Sequence, residues 1–519
     1  MKNRILKTLL ILILFANFVL AQVVPGSYNL IQDGKSFSKI NSSNPLSNSI
    51  LDVIAIGDTV WLGTSRGVSV SFDRGESWTN FFGTSPFGND NVSAIGYDNG
   101  TFWAATARTV EGIAGDVSAG TGLKYTTDNG ITWASVPQPI DGDADTTVEY
   151  GINIIPALPV TVTEQNLTFD IAFTPGTVWI TSFAGGLRKS TDKGESWQRI
   201  VLPPDALDSI NPDDTLDFCL SPVPGSFCAV GNLNHRVFSV ISTDDTTLYV
   251  GTADGINKST DNGVSWVKFN HQNQSEPISG NFITALGYND FTNTVWAATW
   301  KAEEPSEYYG VSSSDNGGAS WKTFLRDERT HNFGFKNFDV IAATDNGAFR
   351  STNQGNSWIL PNSIVDEVSN VSLNTSVFFS AESEGNTVWL GSDDGLVRLR
   401  DNTSLWNGTW KIYFASQPLE APDETYAYPN PFSPRLEQLK IKYSTGDTDA
   451  SVTIRLYDFG MNYVRTIIQN APRNKDLEGA PDFWDGKDDA GNIVPNGVYL
   501  YRIDVDSDAP LFGKIIVLQ

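Results

Sequence analysis

The octet STDNGVSW at 259–266 decides how this 519-residue chain is read. It recurs as SFDRGESW at 71–78, TTDNGITW at 126–133, STDKGESW at 190–197 and STNQGNSW at 351–358, with a looser SSDNGGASW at 313–321. A unit that returns along a chain is first of all a structural device. Asp-x-Gly suits a tight turn whose glycine takes positive φ without steric cost, while Ser and Asp side chains bond turn amides. The Trp then packs between neighbouring sheets. The fastening pairs are Asp73 and Trp78, Asp128 and Trp133, Asp192 and Trp197, Asp261 and Trp266, Asp315 and Trp321, and Asn353 with Trp358, where Asn replaces Asp.

A second signature stands upstream of each octet: TVWLGT at 59, TFWAAT at 101, TVWITS at 177, TLYVGT at 247, TVWAAT at 294, DVIAAT at 339 and TVWLGS at 387. Its β-branched and aromatic residues alternate with small ones, the mark of a half-buried strand. An apolar run such as NVSAIGYD at 91–98 precedes it, GINKST at 255–260 follows it, and SWVKF at 265–269 follows the octet. Each unit is therefore four-stranded, with the octet as the hairpin between its third and fourth strands. Seven signatures predict seven units, and a seven-bladed β-propeller is the economical way to protect their sheet edges. In the seventh unit the octet is degraded, with Leu399 in the Ser place and Thr403 in the Gly place around Asp401 and Trp406. SFSKI at 36–40 reads as a stray fourth strand, expected to pair near TWKIYF at 409–414 and close the ring.

The chain opens with MKNRILKTLLILILFANFVLAQ, in which Lys2, Arg4 and Lys7 precede an apolar run ending in Val19, Leu20 and Ala21. That pattern is a secretory signal peptide over 1–21, with no Cys after it for a lipid anchor, and no later segment is long and apolar enough to span a membrane. The protein is expected outside the cytoplasm, secreted or at the cell surface. Its formal charge of −25 becomes −28 once the three basic residues of the signal are lost. Such a chain repels phosphate backbones, so nucleic acid and anionic membranes are not expected partners. Its two cysteines, Cys219 and Cys228, are close enough in sequence to pair in an oxidising compartment.

In a four-stranded blade the first-to-second and third-to-fourth turns share one face. Here these are short, as in GYDNG, STDDT and the octets. The other connections hold every long insertion: 108–121, 135–165, 202–235, 301–309, 325–335 and 361–375. This asymmetry marks the face opposite the octets as functional. On it, WKAEEPSEYY at 300–309 offers Trp300, Tyr308 and Tyr309 with Glu303 and Glu304, a mixture able to stack on sugars or clamp a peptide. DGDAD at 141–145 places Asp141, Asp143 and Asp145 at alternate positions, as calcium loops do, but lacks their later Gly and Glu. Calcium is thus the one metal considered, and no organic cofactor is expected.

The octets and their strands resemble the Asp-box (BNR) repeat propellers, among them sialidases, xyloglucanases, sortilin-type receptors and photosystem assembly factors. The resemblance covers 36–414 and implies the fold; it implies little about activity, because the boxes of the family's enzymes lie far from their active sites. A glycoside hydrolase would need two opposed carboxylates, one of them protonated, and the sequence selects no such pair. RIVLPP at 199–204 is a distant, mid-chain echo of the sialidase Arg-Ile/Leu-Pro motif, and xyloglucanases of the family use two propellers where this chain has length for one. No nucleophile elbow, zinc motif or phosphate loop is found.

After a linker at 415–424 the octets stop. LKIKYS at 439, SVTIRLYD at 451 and GVYLYRIDV at 497 alternate cleanly and predict a small β-sandwich over 425–519. Together with YAYPNPFSP at 426 and WDGKDDAGNIVPNGVYLYRI at 484 they resemble the Ig-like domain of flagellar hook-capping (FlgD-type) proteins. They are equally similar to the C-terminal sorting domains of type IX secretion cargo. The resulting expectation is an all-β, monomeric, secreted or surface protein. Its propeller binds an extracellular glycan or protein, and its Ig-like module engages secretion machinery or attaches the chain. The rival reading is a glycoside hydrolase with carboxylates on the long-loop face.

Overall fold

A computed structural model describes residues 40–519 except 43, 113–114, 369–370, 374, 416–418, 420–423, 436–437, 447 and 474–480. The segment expected to be a signal peptide, most of SFSKI and most of the expected linker lie outside the described residues. The described chain is built almost wholly of antiparallel strands.

From Ile50 to Tyr413 successive sheets meander from an innermost to an outermost strand. The first sheet runs Ile50–Ile56, Thr59–Thr64, Gly67–Ser71 and Trp78–Phe81, and the same order recurs along the chain. The innermost strands Ile50–Ile56, Asn91–Asp98, Ile171–Thr174, Val237–Ser242, Phe282–Asn289, Thr330–Lys336 and Phe378–Glu384 each pack against the next, and the last packs against the first. Meandering sheets arranged radially around a channel are the architecture of a β-propeller. Each upstream signature forms the second strand, with five buried residues in a row in Thr59–Thr64, Thr177–Ser182 and Thr387–Ser392. Such strands are covered on both faces by neighbouring sheets.

The octet works as its residue types require. Ser71 Oγ donates to Asp73 Oδ1 (2.7 Å) and accepts from Gly75 N (2.7 Å), while Asp73 accepts from the amide (2.8 Å) and hydroxyl (2.5 Å) of Ser77. Thr126, Asp128, Gly130 and Thr132 repeat this geometry. Arg74 and Gly75 are consecutive left-handed residues (φ 58° and 85°). A Cβ on Gly75 would also stand 2.7 Å from Trp389 and Tyr413, so glycine is needed for both turn and packing. Trp78 meets Trp389 (6.4 Å) and Tyr413 (5.8 Å) edge-on, fastening the first sheet to the last.

Three expectations are corrected. In SSDNGGASW the acceptor is Asn316, which takes Ser314 Oγ (2.9 Å) and Ser320 N (3.1 Å) as donors, whereas Asp315 turns outward to Lys322 (2.9 Å). Counting five residues back from the Trp, as in every other copy, gives Asn316. The strand Ile40–Ser42 pairs with Trp78–Phe81 of the first sheet, not with the last. The last sheet makes its own outer strand, Asn407–Tyr413, and the ring closes through packing and through Gly395 N donating to Asn48 O (2.7 Å). Finally, 108–121 is no loose loop: Thr101–Gly112 and Gly115–Thr126 extend as one long β-ribbon. Thr147–Tyr150 and Asn153–Pro156 likewise form a hairpin within 135–165.

Beyond residue 424, the sheet Thr425–Tyr428, Leu439–Tyr443, Asp482–Trp484 faces the sheet Tyr463–Arg473, Ala450–Asp458, Gly497–Val505, Leu511–Val517. Phe432, Ile441, Ile454, Trp484, Tyr501 and Ile515 are among their shared core. This module is not detached. Buried Lys440 pairs with Asp394 and lies 4.5 Å over the Phe414 ring, and Phe414 meets Phe483 at 5.4 Å.

Candidate functional site

Octets and first-to-second turns do share a face, since Arg74 pairs with Asp58 at 2.6 Å and Asn262 N donates to Thr246 O at 2.9 Å. The opposite face carries the insertions and one mouth of the central channel. At this mouth the innermost strands bulge: pairing skips one residue at Leu51, Ser93, Phe238, Thr284, His331 and Phe379. A bulge re-aims the extra side chain. All six skipped residues line the channel, a cavity of about 560 Å³.

The result is an arc of half-exposed rings around the mouth. Phe169 lies 5.4 Å from Phe238, Phe238 lies 4.5 Å from Phe282, and Phe282 lies 6.4 Å from Trp300. Trp300 then meets Tyr309 (5.9 Å) and His331 (5.7 Å), and His331 meets Phe379 (5.5 Å). Trp300 Nε1 donates to Thr330 O (2.9 Å), which fixes the indole between two sheets. Arg329 lies over the rings of Trp300 and Tyr309, and Arg326 lies 3.9 Å over Tyr308. Trp300 and Tyr309 are thus brought into one arc. Tyr308 stands beside it and donates to Thr323 Oγ1 (3.0 Å). Glu303 and Glu304 are exposed, whereas Glu307 is buried and anchors the loop by accepting from Asn281 N (3.1 Å) and Ala302 N (2.7 Å).

Behind the arc stand Asp52, Asp170 and Glu382, which the sequence reading missed. Each accepts a neighbouring amide: Asp52 from Val53, Asp170 from Ile171 and Val240, Glu382 from Ser383, at 2.7–2.9 Å. Loss of water contact, with the charge of Asp170, pushes Asp52 up to about 7. Desolvation pushes Asp170 up to about 7, and desolvation with the charges of Asp52 and Glu384 pushes Glu382 up to about 8. The only sequence clue was position: Asp52 and Glu382 lie within innermost strands and Asp170 immediately precedes one. By contrast Asp128 and Asp192 of the octets are held down at about 2 by the Thr132 and Ser196 hydroxyls and amides.

The calcium triplet does not assemble. Asp141 forms a buried bidentate pair with Arg188 (2.8 and 3.0 Å), lies 3.5 Å from Arg199 and accepts Val160 N, while Asp145 accepts Gly142 N (2.7 Å). Asp143 stays exposed, and no acidic, His or Cys group suited to a metal occurs among the described residues. Arg199, the echo of the sialidase motif, is used up in the same network through Asp145 O (2.6 Å). Cys219 and Cys228 are disulfide-bonded. His235 lies buried beside that loop between Ser221 N and Leu202 O, and burial pushes it down to about 4.

No protein-family model matches the chain. Among curated proteins it is similar to the xyloglucanase Xgh74A of Acetivibrio thermocellus, 26% identical over 196 residues, which is 33% of this chain. That match spans only 20% of the relative's length. Among solved structures it is similar to PorZ, a surface component of the type IX secretion system of Porphyromonas gingivalis (TM-score 0.41, 15% identity, 91% of this chain and 66% of that one). It is also similar to YCF48 bound to D1 peptide (TM-score 0.41, 13% identity, 70% and 96%) and to the extracellular domain of BT4673 from B. thetaiotaomicron (TM-score 0.33, 12% identity, 92% and 68%). Among the described residues no helix is long and apolar enough to cross a membrane.

Proposed function

We propose that this is an exported binding protein: a seven-bladed Asp-box propeller that holds an extracellular glycan or protein at its long-loop face, followed by an Ig-like module for sorting or attachment. The observation that carries the reading is the arc from Phe169 through Trp300 to Phe379. Large rings left half-exposed around a channel mouth are costly to keep in water, and partly exposed aromatic surface is characteristic of binding sites. Bulges aim Phe238, His331 and Phe379, so the exposure of these rings is built into the backbone.

The test uses residues 22–519 on a glycan array and a panel of extracellular proteins. A ligand retained by the intact chain and lost on Trp300→Ala, with near-ultraviolet circular dichroism unchanged, supports the proposal. A ligand whose binding ignores Trp300, Phe238 and Phe379 overturns it.

The rival reading, a glycoside hydrolase, draws on the xyloglucanase similarity and on the raised carboxyls in the channel, since such chemistry needs one protonated acid. Turnover of chromogenic xyloglucan fragments, abolished by Glu382→Gln or Asp52→Asn, would decide for it.

A further inference from the structure

We infer that the aromatic-lined channel mouth takes a basic side chain, Lys or Arg, presented by an extended segment of a partner protein. This rests on the long-loop face being the binding face and names the chemistry it selects.

The cavity of about 560 Å³ falls within the range of about 300–1,000 Å³ typical of small-ligand sites, enough for a long side chain and its flanking backbone. Its entrance is ringed by Phe169, Phe238 and Phe379, whose faces carry the negative end of the aromatic quadrupole. The protein itself shows what such rings accept. At the rim Arg236 lies 5.2 Å over Phe183, and Arg329 lies 4.8 Å over Tyr309 and 5.7 Å over Trp300. The inner rings have no such partner, and no Lys or Arg lines the cavity among the described residues.

Charge complementarity selects the guest. Asp52, Asp170 and Glu382 all line this cavity, and among the described residues none of them makes an ion pair. Their like charges oppose one another and their burial, as the raised values show. At the mouth His331 Nε2 is hydrogen-bonded to Asp345 Oδ1 (2.7 Å). The carboxylates do not converge as the ligands of a single metal ion do. A cationic group on a long flexible stem matches both the spread of the carboxylates and the apolar ring it must pass: methylenes against phenylalanines, charge among acids.

The experiment is fluorescence anisotropy of residues 22–519 with labelled hexa-arginine, hexalysine, hexaglycine and hexaglutamate at 50 and 500 mM salt. The basic peptides are expected to bind at least tenfold more tightly than the neutral one. Asp52→Asn with Glu382→Gln should weaken them at least tenfold, and so should Phe238→Ala with Phe379→Ala. Because the whole chain is acidic, Asp244→Asn with Asp245→Asn, on the octet face, serves as the control and should leave binding unchanged. Equal weakening by the control pair, or binding indifferent to Asp52 and Glu382, overturns the inference. So does an absence of basic-peptide binding in a chain that still holds an array ligand through Trp300, and that outcome leaves the long-loop face standing as a site for another ligand class.

Discussion

Asp401 Oδ2 lies 2.7 Å from Arg350 Nη2 and 2.7 Å from Lys336 Nζ, so the aspartate of the seventh, degraded octet has left its own turn and reached into the neighbouring sheet. Its side chain is wholly buried, and Arg350 also grips Asp339 at 2.6 Å. Where the other copies fasten a hairpin, this one fastens two sheets. Removing one partner of a buried charge pair strands the other, so Asp401→Ala should destabilise the protein by about 3–5 kcal/mol. Urea unfolding at neutral pH measures it; a loss below about 1 kcal/mol would show the pair to be hydrated.

The reassigned fifth octet gives a sharper comparison. Asn316→Ala removes acceptors for Ser314 Oγ and the Ser320 amide and should cost about 1–2 kcal/mol. Asp315→Ala breaks only an exposed pair with Lys322 and should change stability by no more than about 0.5 kcal/mol. If the two substitutions exchanged these effects, the octet would be in the other frame. In the fourth copy, Trp266→Ala should cost about 3–5 kcal/mol, because only 1% of that ring is exposed.

The fold was legible because its signals are local. The seven strand signatures became seven second strands, and the Ser-x-Asp-x-Gly spacing contains every group its turn needs. Asp315 was misread because SSDNGGASW satisfies the pattern from its left end, while packing registers it from Trp321. The aromatic arc was not legible. Phe169, Phe238, His331 and Phe379 are spread over more than 200 residues and meet only when the ring closes. Phe238, His331 and Phe379 are each displaced by a bulge, which breaks the two-residue alternation that sequence reading relies on. Trp300 and Tyr309 were found because they flank one short loop, but their neighbours Phe282 and His331 come from other strands.

Stability should vary with pH in an unusual direction. Asp52 and Asp170 hold protons up to about 7 and Glu382 up to about 8, whereas in the unfolded chain carboxyls release them near 4. The folded state therefore binds more protons, and stability falls as pH rises from about 4 to 8. His235 acts oppositely: its folded value near 4 lies below the ordinary 6.5, so it withdraws stability as pH falls from 6.5 to 4. Three carboxyls outweigh one histidine across the shared window. Around the channel Tyr97, Asp98 and His331 are the other titratable groups lining the cavity among the described residues, with Glu384 and Asp345 beside them. Glu382→Gln keeps an oxygen to accept Ser383 N and should raise Tm at pH 8.5 more than at pH 5. An equal shift at both values would mean that Glu382 titrates normally.

The C-terminal module supports the last prediction, in which the contacts revise what its sequence suggested. A polar linker with two prolines implies that a propeller ending at residue 414 would unfold as it does in the whole chain. The structure instead puts Lys440 over Phe414 and against Asp394, and Phe483 against Phe414. Deleting 415–519 therefore uncovers Phe414, now 6% exposed, and frees a carboxylate already one-third open to solvent. Re-exposing one aromatic side chain costs about 1–3 kcal/mol, so the truncated propeller should stay folded but melt a few degrees lower. If the module is a sorting signal, the same truncation in the native host should leave folded propeller in the periplasm, and grafting 425–519 onto a foreign periplasmic protein should send that protein out. Fractionation with an antibody to the propeller reads the first outcome and reporter activity in the medium reads the second. A truncated chain that reached the surface in normal amounts, with the graft retained inside, would leave 425–519 an accessory domain whose role is to cover Phe414.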